Sequence, residues 1–236
     1  MIAALVFDFD GLILDTEMAL IEAYSDVHAH HGLPFDRQHF LRSVGHADYA
    51  FDPWSAFGPA ADRAVLDGHR RRLNVERNLR LAVLPGVGPL VGSARAAGLK
   101  LGVASNSGHG HVDHHLARLG LLNAFDFVAC REDVTVPKPE PEIYRLVLQK
   151  LGVTGTHTVA FEDSLTGLTA ARRAGLRTVA VPNRATAHHA FDEADWLVSS
   201  LSEVTLNELA TRFSPVPIGE GIRCHALPNH KRNPAN

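Results

Sequence analysis

The stretch Val6-Phe7-Asp8-Phe9-Asp10-Gly11 decides how this chain is read. It closes an apolar run over residues 2–9, unbroken up to Asp8, and leaves two acidic side chains one residue apart. An unbroken run, rather than an alternating one, is what a strand covered on both faces requires. Five more runs of this kind follow, over residues 100–104, 125–129, 158–161, 177–181 and 196–198. Helical segments lie between most of them, over 87–97, 111–119, 140–151 and 165–174. Gly98, Gly120, Gly152 and Gly175 stand where these segments end, the place where a left-handed residue closes a helix with least strain. The alternation predicts an α/β fold with a doubly wound parallel sheet.

One interval breaks the rhythm. Residues 16–84 contain no convincing strand; 17–31 and 59–81 read as helices, with a Gly/Pro/aromatic stretch between them. This is too long for a crossover and is read as a helical insert, with Pro85-Gly86 marking the return to the core. The expected organisation is a core of residues 1–15 and 85–213, an insert of 16–84 and a C-terminal tail of 214–236 rich in Pro, Gly, Asn and His.

The 236 residues are 45% hydrophobic and 21% charged, an ordinary globular balance. A net charge of −3 provides no global field for nucleic acid or an anionic membrane, so neither is an expected partner. Cys130 and Cys224 do not form a Cys-x-x-Cys spacing, which argues against a disulfide framework or structural zinc. The apolar start lacks the basic residues of a signal peptide, and no stretch reaches the ~20 apolar residues of a membrane span. The expectation is a cytoplasmic protein, a monomer or weak dimer, whose affinity for any anionic substrate comes from local placement.

In an open parallel sheet, ligands bind outside the carboxyl ends of the strands. Asp8 and Asp10 follow the first apolar run, Ser105-Asn106-Ser107 the second, and Glu162-Asp163-Ser164 the fourth. Lys138 lies in the loop after the third. In extended chain Asp8 and Asp10 share a face with α-carbons about 6.5–7 Å apart. Two carboxylates there, joined by Glu162 and Asp163, repel one another and call for a cation. The donors offered are hard oxygens, which suit Mg²⁺ rather than zinc. Lys138 adds a compact positive charge, and Ser105 and Asn106 add donors. Together they describe a phosphoryl-binding site, in which one carboxylate can act as nucleophile and another as acid and base. Taken singly, each residue has a bland reading: a turn or cap aspartate, a solvated lysine, a capping serine.

The run Asp8-Phe9-Asp10-Gly11-Leu12-Ile13-Leu14-Asp15-Thr16-Glu17 resembles the first motif of the haloacid dehalogenase-like superfamily, in its β-phosphoglucomutase-like branch. Val103-Ala104-Ser105-Asn106-Ser107 resembles its second motif, Lys138-Pro139-Glu140-Pro141 its lysine motif, and Phe161-Glu162-Asp163-Ser164 its acidic motif. The likeness runs in the family's order over residues 2–198. It implies a Rossmann-like, three-layer parallel-sheet core with a small inserted α-helical cap. It implies that Asp8 is phosphorylated, that Asp10 is the general acid and base, and that Ser105, Asn106 and Lys138 hold the phosphoryl group. Mg²⁺ would be held by Asp8, the Asp10 carbonyl and Asp163, with Glu162 binding directly or through water. The substrate would be a small phosphomonoester, such as a sugar phosphate.

Three other functions stand beside a phosphatase. A dehalogenase of this superfamily attacks carbon and needs no metal, which Asp10 and Asp163 argue against. A phosphosugar mutase resembling this chain would carry a histidine near Leu20 and an arginine in the stretch Ser43-Val44-Gly45-His46-Ala47-Asp48, and neither is present. A binding module would have lost a chemical residue, and none is missing. Thr16 is read as the N-cap of the first insert helix, with substrate contact as the alternative. His46 is a further candidate for substrate contact by its place between insert helices. Arg63, Arg70 and Arg77 recur every seven residues on one helical face. That face reads as solvated, with Arg70 the candidate for contact with the substrate. His109, His111, His114 and His115 read as surface histidines despite the His111/His115 spacing, because no glutamate completes a metal-binding pattern.

Overall fold

The run that opens the chain becomes β1 (Ala4–Phe7) at the centre of a six-stranded sheet. A computed structural model describes residues 1–44 and 51–213. The other strands are β2 (Lys100–Ala104), β3 (Phe127–Ala129), β4 (Thr158–Glu162), β5 (Arg177–Ala180) and β6 (Trp196–Leu197). Their order is β3-β2-β1-β4-β5-β6, and every neighbouring pair is parallel. Chain order reverses at β1, which pairs with β2 on one side and β4 on the other. Such a reversal opens a crevice at the carboxyl ends of the two strands flanking it.

Eight α-helices accompany the sheet among the described residues. α1 (Thr16–His30), α2 (Arg37–Ser43) and α3 (Arg63–Asn78) lie between β1 and β2 in sequence. α4 (Val87–Ala96), α5 (His109–Arg118), α6 (Glu142–Leu151), α7 (Leu165–Arg173) and α8 (Leu206–Phe213) follow. Alternate strand residues face opposite sides, and here both sides are apolar. Leu5, Phe7, Leu101 and Phe161 pack with Val87 and Leu90 of α4, Leu116 of α5 and Leu209 of α8. On the other face the small Ala4, Val6, Ala104 and Ala160 admit Ile143, Tyr144 and Val147 of α6 and Ala170 and Ala171 of α7. The result is three layers. Phe7 and Phe161 stack across the β1–β4 pair at 4.9 Å between ring centroids. Burial of one such ring contributes about 1.5–3 kcal/mol.

α1 and α3 pack on one another around their own apolar groups. Val27, Trp54 and Leu66 form one, and Met18 and Ile21 join Ala185 in another. Most boundaries differ from the sequence expectation by a few residues, and two of the differences have a clear cause. The helix expected over 59–81 starts at Arg63, because the Asp62 carboxylate accepts from the Ala64 and Val65 amides at 3.0 and 3.2 Å. The first helix is capped by Asp15 rather than by Thr16: the Asp15 side chain accepts from the Met18 amide, which leaves the Thr16 hydroxyl for another partner. α2 and α8 were not anticipated; both are short, and α2 buries no residue. His46, Asp48 and the tail over 214–236 lie outside the described residues. Among the described residues, no helix is long and apolar enough to cross a membrane.

Candidate active site

Beyond Phe7 the first run leaves the ladder. The Phe9 carbonyl accepts from the Ile13 and Leu14 amides, so the chain turns back while Phe9 itself stays buried. This turns Asp8 and Asp10 outward at the topological switch. Gly11 adopts φ +79°, and a Cβ there would lie 2.3 Å from both Asp163 Oδ2 and Asn183 Nδ2. Only glycine fits that approach.

Asp8, Asp10, Ser105, Lys138, Asp163 and Arg70 are among the residues lining a cavity of about 480 Å³. Lys138 is buried, and its ammonium has three partners. It donates to Asp8 Oδ1 at 2.6 Å, to Glu162 Oε1 at 2.6 Å and to the Ala104 carbonyl at 2.8 Å. Its backbone is fixed as well: the Lys138 amide donates to Asn106 Oδ1 at 2.9 Å, and Asn106 Nδ2 donates to the Lys138 carbonyl at 3.3 Å. The Asn106 side chain therefore clamps the lysine loop. Glu162 also accepts from the Tyr144 hydroxyl, and its carboxylate lies directly over Gly167 in the first turn of α7.

Asp8, Glu162 and Asp163 bring their carboxylates together, with one oxygen of each within 4.8 Å of the others. The charge is incompletely compensated. Burial pushes the Asp8 carboxyl up to about 8, against the pull of Lys138. Asp163 is held well above the usual range by burial, Glu17 and Asp8. Glu17 rises to about 7, again chiefly through burial. Burial works against the Lys138 charge, but Asp8 and Glu162 more than offset it and hold the ammonium above its ordinary value. An all-oxygen cluster this short of positive charge fits a hard divalent cation.

Asp10 is in a different setting. Its carboxylate turns away from the cluster and accepts from Thr16 Oγ1 at 2.6 Å, Ser107 Oγ at 2.6 Å and His111 at 2.9 Å. Although burial opposes it, the His111 contact and the two hydroxyls lower the Asp10 carboxyl below its ordinary value.

The histidines correct the sequence reading. His111 reaches the site, and His115 is buried, stacked on Phe9 and lowered to about 4, chiefly by burial. The helix carrying them starts directly behind the serine loop, so its first turn faces the cavity. The arginines of α3 divide. Arg63 pairs with Asp52 at 2.7 Å and Arg77 with Asp26, whereas Arg70, 3.8 Å from Asp67, lines the cavity with Asn74 and Asn78. In the sequence Ser107 stands out only as part of the second motif, with no role of its own, and Tyr144 and Asn183 do not stand out. Asn183 Nδ2 lies within hydrogen-bond distance of the Gly11 carbonyl, Glu17 and Asp163, tying the loop after β5 to the first motif.

A parallel sheet with acidic strand ends, a buried lysine and a serine loop at its switch point defines a hydrolase of the haloacid dehalogenase-like type. The family model for haloacid dehalogenase-like hydrolase matches residues 2–175, and the chain belongs to that family. It is 36% identical over 210 residues to YhcW of Bacillus subtilis, covering 87% of this chain and 95% of that protein. It is 33% identical over 217 residues to hexitol phosphatase B of Escherichia coli, covering 88% and 96%. Among solved structures, CbbY from Rhodobacter sphaeroides in complex with phosphate superposes with a TM-score of 0.69 at 30% identity, covering 86% of this chain and 96% of that one.

Proposed function

We propose that this hydrolase is a Mg²⁺-dependent phosphatase that cleaves a small sugar-phosphate-like monoester through a phosphoryl group carried on Asp8. The observation that carries the reading is the buried Lys138 ammonium bridging Asp8 and Glu162 at the mouth of the β1/β4 crevice. A relative named hexitol phosphatase B supports the same class of substrate. Residues 16–84 form the cap over this core, and Arg70 on α3 is its contact with the substrate.

An Asp8 oxygen attacks phosphorus in line with the ester oxygen. The new P–O bond forms as the ester P–O bond breaks, and Asp10, ionised in the free protein and protonated by the phosphate monoester as it binds, gives that proton to the departing oxygen. Asp10 then takes a proton from water as the water oxygen attacks phosphorus, which frees Asp8 and releases inorganic phosphate. Ser105 and the Asn106 backbone hold the phosphoryl oxygens, and Lys138 balances their charge throughout. The Asp8 and Asp163 carboxylates with the Asp10 carbonyl would hold Mg²⁺, which supplies neutralisation of the phosphoryl charge. Glu162 acts one layer out, because Lys138, Tyr144 and Ser164 occupy its oxygens.

Apolar Leu20 in the cavity wall favours water over a second sugar as acceptor, since mutases resembling this chain place a histidine there. The test is a panel of ~100 phosphorylated metabolites with and without Mg²⁺. Phosphate release that disappears in Asp8→Asn supports a phosphatase. An isomerised ester with a bisphosphate requirement would make it a mutase, and turnover by Asp8→Asn would remove the nucleophile.

A further inference from the structure

We infer that His111 is a positioning residue for Asp10, holding the acid/base carboxylate toward the leaving oxygen from the core side of the cavity. The inference rests on the proposed role of Asp10. His111 occupies the first turn of α5 and contacts Asp10 Oδ1 at 2.9 Å through Nε2. A neutral ring with its proton on Nε2 is sufficient for that bond, so no charge on the histidine is required.

The ring is fixed by packing. It meets Phe9 edge-on at 5.5 Å and 90°, and His115 one turn later at 4.9 Å and 71°. Phe9 and His115 are themselves buried, so the direction of Nε2 is set by the core and not by a flexible side chain. A histidine with a purely structural role would bond within the fold. This one directs its nitrogen to a carboxylate on the cavity wall and lines that cavity itself.

The other donor to the same oxygen is Thr16, the first residue of α1. Asp10 Oδ1 is therefore held from two sides, by the helix that enters the insert and by a helix packed on the sheet. A movement of the insert carries Thr16 with it. His111 stays with the core and keeps Asp10 aimed while substrate enters or phosphate leaves. Bonding a carboxylate in its working rotamer removes the cost of ordering it at the moment of proton transfer.

The experiment compares two leaving groups. Glucose 6-phosphate expels a strongly basic alkoxide that needs a proton, and 2,4-dinitrophenyl phosphate expels a weakly basic phenolate that does not. In the full chain with Mg²⁺, His111→Ala is expected to lower kcat/KM for glucose 6-phosphate about 10–100-fold, part of the 10²–10⁴ that acid–base catalysis contributes. The loss for dinitrophenyl phosphate is expected to stay within about threefold. His111→Gln places an amide N–H near the position of Nε2 and is expected to recover most of the difference. Equal losses on both esters, or no loss on either, overturn the role of His111. Asp10→Asn separates the two readings. A selective loss in Asp10→Asn without one in His111→Ala overturns the histidine alone, and no selectivity in Asp10→Asn overturns both.

Discussion

Tyr144→Phe isolates one hydrogen bond behind the site. Tyr144 is fully buried in α6, and its hydroxyl donates to Glu162 Oε1, the same oxygen that Lys138 engages at 2.6 Å. Burial, followed by Glu162, holds the phenol far above its usual range, so it remains a donor at any working pH. Phenylalanine keeps the ring, including its contact with the Lys138 ammonium at 5.1 Å from the centroid, and removes only the hydroxyl. A hydrogen bond to a charged group contributes about 1.5–3 kcal/mol. Glu162 keeps its lysine, so the loss falls in the lower half, about 1.5–2 kcal/mol. For a chain of this size that lowers Tm by about 3–8 °C. Without the hydroxyl, Glu162 competes harder with Asp8 for the ammonium, and kcat/KM falls about two- to tenfold. Urea unfolding followed by circular dichroism, with EDTA present, measures the first effect, and steady-state phosphate release with Mg²⁺ measures the second. A variant within 0.5 kcal/mol of the parent, with unchanged kcat/KM, would refute the view that Glu162 serves as a bonded support for Lys138.

Gly167→Ala puts a Cβ 1.9 Å from Glu162 Oε2, so the carboxylate must shift and take Lys138 with it. Overpacking of this kind costs about 1–3 kcal/mol, and kcat is expected to drop with it in the same two assays. The pH dependence of the metal-free protein has a fixed sign. Asp8 at about 8 and Glu17 at about 7 lie above their unfolded values, so they favour the folded state below about pH 4, and that contribution is lost as pH rises through 7 and 8. Tm in EDTA should fall over that window and Mg²⁺ should flatten the fall, because the cation replaces the protons; a profile that Mg²⁺ leaves unchanged argues against metal binding at this cluster. Arg70→Ala should raise KM about tenfold while lowering kcat less than threefold, since a charge on the cavity wall remote from phosphorus binds ground and transition states alike; a loss confined to kcat would move Arg70 into the chemistry.

The sheet was legible because its strands are short apolar blocks with opposite faces both covered, and β2 matches its sequence boundaries residue for residue. The acidic strand ends and Lys138 were legible because a crevice at the switch point collects whatever follows each strand. His111 was not. Its meaning depends on a helix starting directly behind the serine loop, and four histidines within seven residues made a surface cluster the simpler reading. Thr16 was misassigned because Asp15 next to it is an equally good cap, and local sequence does not say which of two adjacent caps takes the Met18 amide. Tyr144 and Asn183 act at distances of 18 and 20 residues from the acidic motif, through packing that no spacing rule encodes. Arg70 separates from Arg63 and Arg77 because those two pair with Asp52 and Asp26 away from the site, while Arg70, 3.8 Å from Asp67, still lines the cavity.

The central position of β1 also shapes the birth of the protein. Its partners in the sheet begin at Lys100 and Thr158, so Ala4 meets its second neighbour only after 158 − 4 = 154 further residues have been made. At the usual pace of synthesis, 5–20 residues per second, the wait is about 8–30 s. Throughout that time Ala-Leu-Val-Phe is an apolar strand with at least one bare edge, the kind of segment that pairs with the wrong chain. The arrangement that seats Asp8 between two motifs thus leaves the nascent chain open to mispairing for longest at its own centre, and slowing elongation before β4 emerges should lower the soluble yield more than slowing it afterwards.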